Sequence, residues 1–252
     1  MKKTIIIAVI LLVVGCAVAA LTLAVYGWDD LNMAAEYTDH TYTFDRVNSL
    51  VVDVKSSNVT VCTTSEKTCK VVCHDSRFIK HYPNLEEGKL TIEETDERRW
   101  YDYVGFSIDS PRVTVYIPEL KTDPASSFFD PTMLFYAVEI SVKSGDVSLE
   151  DLSVNESVDI SASSGNVSLE NCHVWGDVTV DSKSGNVSVT KTLADGDVSI
   201  TAASGNVETT LRSPKEYVIS TGSGNVTQTR ENEKGHGVCR ITTKSGNVNV
   251  GR

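Results

Sequence analysis

Alternating apolar and polar positions recur through the second half of the chain on both sides of one short motif. The apolar positions hold mostly Val, Ile and Leu, for example Val158 and Ile160 before the motif at Ser164, and Val167 and Leu169 after it. A period of two residues is typical of strands that bury one face. Each copy of the pattern therefore predicts a strand, a sharp turn and a second strand.

The motif is Ser-Gly followed by Asn or Asp, and its six copies are spaced by 20, 20, 20, 19 and 22 residues. Glycine accepts a positive φ without a Cβ clash, and Asn and Asp tolerate it next best. Stacked turns would also align their Asn and Asp side chains for hydrogen bonds between coils. The predicted structural turn ladder consists of Gly145, Asp146, Gly165, Asn166, Gly185, Asn186, Gly205, Asn206, Gly224, Asn225, Gly246 and Asn247.

The regular period predicts a stacked repeat protein. A single hairpin cannot bury its own apolar face, so equivalent strands are expected to stack on those of the next repeat and to share one long core. An earlier and less regular copy surrounds Ser56, Ser57 and Asn58, with Ser57 in place of the glycine. The predicted fold class is all-β, a β-solenoid that resembles a parallel β-helix, with coils of about 20 residues.

The same pattern divides the chain into four parts. Residues 1–28 are predicted to form a cytoplasmic stub and a transmembrane anchor, residues 29–43 a juxtamembrane linker, residues 44–137 the irregular first part of the solenoid, and residues 138–252 the regular coils. The apolar stretch 130–136 is interpreted as a cap over an open end of the core, or alternatively as a patch for a partner. The last coil is expected to leave an open C-terminal edge that allows self-association.

The N-terminal segment predicts where the protein resides. Lys2 and Lys3 precede an uncharged run at residues 4–25, which is long enough to cross a hydrocarbon core of about 30 Å. The lysines lie on one side of this run, and Asp29 and Asp30 lie on the other. The positive-inside rule then predicts a single-pass protein of the cell membrane, with a cytoplasmic N-terminus and an extracytoplasmic C-terminal domain.

Two alternatives for this segment stay open. The run Val13-Val14-Gly15-Cys16 is similar to a lipoprotein signal, which would make Cys16 a lipidated N-terminus, although the apolar run continues beyond it. A cleaved secretion signal is the other alternative, although its apolar region is normally shorter. All three interpretations place most of the chain outside the cytoplasm.

The net charge and the composition argue against two classes of protein. The net charge is −11, which argues against nucleic-acid binding because phosphates require a basic surface. Hydrophobic residues make up 40% of the chain, which excludes a disordered acidic tail.

No catalytic, cofactor-binding or metal-binding residue is predicted. The sequence contains neither a His-Glu-x-x-His nor a Gly-x-Ser-x-Gly motif, and the repeated Ser-Gly-Asn turns lack the unique arrangement of an active site. The five histidines are interpreted as surface or turn residues, and the acidic stretch 93–97 as solvated edge charges. Cys62, Cys69 and Cys73 are candidates for one disulfide, either Cys62–Cys69 or Cys62–Cys73, and lack the second ligand pair of a common zinc site.

The Ser-Gly-Asn/Asp-Val signature, together with the preceding Val-Thr-Val-Tyr-Ile-Pro strand at residues 113–118, resembles a bacterial family of domains of unknown function regarded as candidate adhesins. The resemblance covers approximately residues 44–250. It implies a β-solenoid, often behind an N-terminal membrane anchor. It also implies a surface or envelope role in adhesion or stress sensing, with no established catalytic residues.

The sequence therefore predicts a non-enzymatic envelope protein, a membrane-tethered and adhesin-like binding scaffold for a cell-wall glycan or an envelope protein. The alternatives are an envelope-stress sensor that acts with a membrane partner and a polysaccharide-active β-helix enzyme. No cofactor is implied. A scaffold is expected to show a uniform outward surface of Ser, Thr, Asn and Lys, whereas an enzyme is expected to bring two carboxylates together in a cleft.

Overall fold

The computed structural model describes residues 12–17, 21, 36–98, 109–119, 135–233 and 237–251. It separates the chain into two units, residues 1–36 with 98–109, and residues 37–97 with 110–252.

In the first unit, the described residues 12–17 and 21 are helical. Among all described residues, none belongs to a helix with the length and apolar character needed to span a membrane. The predicted anchor at residues 1–28 lies largely outside the described residues, as does most of the predicted cap at residues 130–136. Of the two described residues of that cap, Phe135 is buried in the core of the second unit and Tyr136 is half-buried.

The described part of the second unit consists of strands. In chain order they are β1 (Tyr37–Phe44), β2 (Ser49–Val54), β3 (Asn58–Thr64), β4 (Cys69–Ser76), β5 (Ile79–Glu86), β6 (Lys89–Asp96), β7 (Arg112–Pro118), β8 (Ala137–Val142), β9 (Val147–Glu150), β10 (Ser153–Val154), β11 (Ser157–Ala162), β12 (Val167–Glu170), β13 (His173–Val174), β14 (Asp177–Ser182), β15 (Val187–Ala194), β16 (Val198–Ser204), β17 (Val207–Leu211), β18 (Glu216–Thr221), β19 (Val226–Gln228), β20 (Val238–Ser245) and β21 (Val248–Val250).

Two long sheets face each other across the core. Sheet A has the order β1-β4-β7-β3-β9-β12-β15-β17-β21-β19, and sheet B has the order β18-β20-β16-β14-β11-β8-β2-β6-β5. The short strands β10 and β13 and the end of β15 form a third, narrower face. Strands of successive coils pair in parallel and in register, so that Val158 lies opposite Val138 on one side and Val178 on the other. The prediction of an all-β, solenoid-like fold is confirmed.

One apolar core runs through the stacked coils. The alternate positions predicted to face inward are buried, and Val180 and Val189 are representative, with no exposed surface. Burying a Val, Leu or Ile side chain contributes about 1.5–3 kcal/mol, so a stack of such rows stabilises coils that could not fold singly. The twenty-residue period therefore persists because a shift by one residue would turn an apolar row outward.

The irregular first part belongs to the same two sheets. The coil formed by β2 and β3 pairs in register with β8 and β9, and the strands β6 and β7 pair next to it. Strands β4 and β5 follow in antiparallel pairing, and β1 pairs with β4 at the edge of sheet A. The prediction of a linker over residues 29–43 is wrong for residues 37–43, because the main chain of β1 completes the hydrogen bonds of β4.

The last coil of the chain lies inside the stack. Strand β20 pairs with β16 on one side and β18 on the other, so that Arg240 lies between Ser199 and Val218. Strand β21 lies in the same way between β17 and β19. The expectation of an open edge at the C-terminal coil is therefore wrong, because the preceding coil, β18 and β19, forms that end. The loop after β19 covers part of the β18 edge, where Asn232 Oδ1 accepts a hydrogen bond from the Tyr217 amide.

This order predicts the pattern of amide hydrogen exchange near the C-terminus. We expect the amides of β20 to be protected for much longer than those of β18 and β19, because β20 has a neighbour on both sides. Hydrogen exchange followed by mass spectrometry of peptides from residues 216–228 and 238–245 measures this difference. Equal or faster exchange in β20 would contradict the inserted position of the last coil.

Candidate functional site

The twelve predicted turn residues lie in one column at the corner between sheets B and A. Each glycine has a positive φ, for example +126° at Gly185, and a Cβ there would overlap the carbonyl oxygen of Gly165. The corners stack this closely because five of the six glycine amides donate to the serine carbonyl of the neighbouring coil, as Gly185 does to Ser204. Glycine is therefore required twice, by its backbone conformation and by the space available.

The Asn and Asp side chains join these corners into a continuous ladder. The Asn166 amide donates to Asp146 Oδ1 at 2.7 Å, and the Asn186 amide donates to Asn166 Oδ1 at 3.0 Å. The same bond links the remaining corners, and its order along the stack is Asn58, Asp146, Asn166, Asn186, Asn206, Asn247 and Asn225. The order of residues in the ladder therefore agrees with the strand pairing, in which the last coil of the chain lies inside the stack and the preceding coil forms its end.

The glycine column ends at Ser57, where the next coil has a longer connection between its strands. Strands β6 and β7 are separated by residues 97–111, so the Asn58 amide bonds to Pro111 O instead of to another Ser-Gly turn. A side chain is accommodated at this corner, and Ser57 has no exposed surface. Its hydroxyl turns toward a group of buried polar residues.

That group, which we call the buried polar cluster, consists of Ser57, Asp75, His81 and Glu94. Ser57 Oγ lies 2.7 Å from His81 Nε2 and donates a hydrogen bond of 2.7 Å to Glu94 Oε2. His81 Nδ1 lies 2.6 Å from Asp75 Oδ1. The four residues come from the β2–β3 corner and from strands β4, β5 and β6, and each is at least 90% buried.

The alternation of each strand explains why these polar side chains face inward. Glu94 follows Leu90 and Ile92 at the inward positions of β6, and His81 follows Ile79 in β5. The interpretation of residues 93–97 as solvated charges is therefore wrong for Glu94, which is buried. The interpretation of the histidines as surface or turn residues is likewise wrong for His81, and also for His74, which is buried in β4. A polar residue at an inward position of the alternation is the sequence signal for such a buried group.

Hydrogen bonding determines the protonation of the buried polar cluster. Burial opposes the charge of Glu94, but hydrogen bonds from His81, Ser57 and Ser56 outweigh it and lower its pKa to about 2. Burial also opposes the charge of His81, yet Asp75 and Glu94 outweigh it and raise the pKa of the imidazole. Because Ser57 uses its only proton on Glu94, it accepts from His81 Nε2–H, so both ring nitrogens donate and His81 is an imidazolium.

This arrangement does not favour a Ser-His-Asp hydrolase, although the same three residue types are in contact. In a hydrolase the histidine accepts the proton of the serine hydroxyl, whereas Ser57 donates to Glu94 and accepts from His81. The Ser57 hydroxyl also has no exposed surface through which a substrate could approach.

The same region holds residues that could bind a metal ion. One ligand atom each from Cys73, Asp75 and His81 lies within 4.8 Å of the other two, and all three side chains are buried. Burial, with a smaller contribution from Asp75, raises the pKa of the Cys73 thiol to about 12.

The predicted disulfide among Cys62, Cys69 and Cys73 is not formed, since all three are free thiols. Cys69 and Cys73 face the core from one strand, four residues apart and therefore separated by about 13 Å. Cys62 lies on β3 and alternates with the inward-facing Val61, and β7 separates β3 from β4. No pair among the three can approach to the distance of a disulfide.

The outward face of sheet A carries a regular line of hydroxyl groups, which we call the hydroxyl row. It contains one half-buried residue from each of five neighbouring strands in register, namely Thr114, Thr60, Ser148, Ser168 and Ser188. Neighbouring strands are about 4.8 Å apart, so the hydroxyls repeat at that spacing.

Carboxylates lie beside the hydroxyl row and on sheet B. Glu150 and Glu170 are in register on adjacent strands, and Lys191 Nζ contacts Glu170 Oε1 at 2.8 Å. Glu139 and Asp159 form a similar pair on sheet B. The outward surface is therefore not the uniform Ser, Thr, Asn and Lys surface expected for a scaffold.

The fold and the turn ladder define a β-solenoid of stacked, glycine-cornered coils. The chain belongs to the Toastrack DUF4097 family, whose characteristic sequence matches residues 47–252. No curated protein matches the chain in sequence.

Two solved structures are similar to this chain at low sequence identity. A candidate cell adhesion protein from Clostridium sporogenes aligns over 85% of this chain and 99% of its own, with a TM-score of 0.52 and 10% identity. A candidate adhesin from Bacteroides fragilis aligns over 85% of this chain and 97% of its own, with a TM-score of 0.46 and 10% identity.

Proposed function

We propose that this protein is a non-enzymatic binding scaffold of the bacterial cell envelope, which uses the outward face of sheet A to hold an envelope glycan. The observation that carries the proposal is the hydroxyl row. Five hydroxyls at a constant spacing offer one hydrogen-bonding group per strand, which suits a polymer whose sugar units also repeat at a constant spacing.

The surroundings of the hydroxyl row support the same kind of ligand. Ser148 Oγ donates to Glu150 Oε1 at 2.8 Å, so acceptors for sugar hydroxyls lie directly beside the row. Parallel strands hold these groups in fixed positions, and binding would require little ordering of the protein. The description of a structural neighbour as a candidate cell adhesion protein agrees with a role at the surface.

The N-terminal sequence supports a tethered position. The uncharged run at residues 4–25 follows two lysines, and together they favour a single-pass anchor with the solenoid outside the cytoplasm. An envelope-stress sensor that acts with a membrane partner remains an alternative prediction.

Binding of the purified full-length chain to insoluble cell-wall glycan tests this proposal. We expect saturable binding that weakens at least about tenfold when Thr60→Val and Ser168→Ala are combined, because each lost hydroxyl removes a hydrogen bond worth about 1 kcal/mol. The matched control combines Thr179→Val and Ser199→Ala, two half-buried residues at outward positions of sheet B, and is expected to bind as the wild type does. Equal affinity of all three proteins, or no binding, would contradict the proposal.

A polysaccharide-active enzyme is the second candidate, favoured by the Glu150 and Glu170 pair on adjacent strands. Retaining glycosidases use two carboxyl groups about 5–5.5 Å apart. The same incubations distinguish the two functions, because an enzyme would release soluble sugars and a scaffold would not. Loss of sugar release in Glu150→Gln, with binding preserved, would favour the enzyme.

A further inference from the structure

Three different kinds of metal ligand meet at the first end of the core. Cys73 and Asp75 alternate along the inward face of β4, and His81 faces inward from β5, which belongs to the opposite sheet. Their ligand atoms lie within 4.8 Å of one another, and the side chains of Cys73 and His81 are at least 99% buried. A thiolate, a carboxylate and an imidazole form a donor set that suits zinc and similar divalent transition metals.

The distances require little rearrangement to reach a metal-bound geometry. Zinc bonds of about 2.0–2.3 Å in a tetrahedron place ligand atoms about 3.3–3.8 Å apart. His81 Nδ1 and Asp75 Oδ1 are already 2.6 Å apart and would separate slightly, while the remaining atoms would approach by at most about 1.5 Å.

The other side of the His81 ring supports the same interpretation independently. A histidine that binds a metal through one nitrogen usually donates its second N–H to a group that fixes the ring. His81 Nε2 donates to Ser57 Oγ, which donates to the ionised Glu94. Glu94 is itself held by the Ser56 amide and hydroxyl. The nitrogen on the Asp75 side is therefore presented in a fixed orientation.

We propose that Cys73, Asp75 and His81 form a binding site for a divalent transition metal, with zinc as the preferred ion and a fourth position left for water or an external ligand. A bound ion would link β4 to β5 and so stabilise the first end of the solenoid. Cys69 lies on the same strand and the same face, about 13 Å from Cys73, and takes no part.

Cobalt binding to the full-length chain tests this site. The protein is prepared without a polyhistidine tag, reduced, stripped with a chelator and titrated with Co²⁺. We expect one Co²⁺ per chain with the near-ultraviolet charge-transfer absorption of a thiolate ligand, and its loss when one equivalent of Zn²⁺ is added. Cys73→Ala is expected to abolish the absorption, and His81→Gln to weaken binding at least about tenfold.

Cys69→Ala is the matched control, since it removes an equally buried thiol from the same strand and is expected to leave binding unchanged. Absence of stoichiometric binding, or an unchanged absorption in Cys73→Ala, would overturn the proposal. X-ray absorption spectroscopy of the zinc-loaded wild-type protein tests the same site without relying on the folding of any variant. One sulfur at about 2.3 Å with two or three nitrogen or oxygen ligands supports the site, and a shell without sulfur overturns it.

Discussion

Gly185→Ala is expected to destabilise the protein by at least about 3 kcal/mol. A backbone with φ of +126° is essentially restricted to glycine and costs a residue with a side chain about 1–3 kcal/mol. The new Cβ would in addition overlap the Gly165 carbonyl, so the coils would have to separate and lose the bond from Gly185 N to Ser204 O. Urea unfolding followed by circular dichroism measures the change in the free energy of unfolding.

Gly88→Ala is the matched control for this substitution. Gly88 also has a positive φ, +83°, but a Cβ there would meet no heavy atom closer than 3.4 Å. We expect a loss of about 1 kcal/mol from backbone strain alone. Equal losses at the two glycines would show that close stacking of the corners contributes nothing to stability.

Glu94→Gln is expected to destabilise the protein by about 3–5 kcal/mol, because it removes one partner from a buried group of charges. The side chain of Glu94 is fully buried and accepts hydrogen bonds from Ser57 and Ser56. Glu93→Gln is the control, since Glu93 is the exposed neighbour on the same strand and its substitution is expected to change stability by no more than about 0.5 kcal/mol. Similar losses in both variants would contradict the importance of the buried polar cluster.

The pH dependence of stability, measured with a chelator present, gives a second test of this cluster. The pKa of Glu94 is lowered from 4.5 to about 2, so its contribution is complete above 4.5 and is lost as the pH falls toward 2. The pKa of His81 is raised above 6.5, so its contribution is complete below 6.5 and is lost as the pH rises through the raised value. The advantage of the wild type over Glu94→Gln is therefore expected to be largest between pH 4.5 and 6.5. A constant difference from pH 2 to 9 would contradict this assignment.

The regular coils could be predicted from the sequence because their causes are local. Alternation of Val158 and Ile160 with polar residues requires a strand with one buried face, and the glycine of each turn follows from its positive φ. The period then places equivalent residues in register without any further information.

The order of the last two coils could not be predicted in this way, because a change in stacking order depends on which strand finds which neighbour. One signal was present in the fifth copy of the motif, at Ser223, where Val226 keeps the first apolar position after the turn but Gln228 replaces the second. Both belong to β19, whose residues are exposed at the end of sheet A. A strand with one neighbour needs less apolar surface than a strand with two.

The buried polar cluster also could not be predicted from the sequence pattern. Glu94 stands at an inward position after Leu90 and Ile92, which local alternation does show. Its contact with Ser57 and His81 depends on the antiparallel pairing of β5 with β6 and on the long connection before β7. These are consequences of topology, and residues 37 apart in sequence come into contact through them.

The inserted position of β20 and β21 has a consequence for the time course of folding. During synthesis β18 and β19 emerge before the strands that hold them against the stack, so they must wait unpaired or bind β16 and β17 in the wrong place. If β18 and β19 have paired with β16 and β17, that pairing must break before β20 and β21 can insert between them. Assembly of the solenoid cannot proceed coil by coil from one terminus to the other, and its slowest step is expected to be this late exchange.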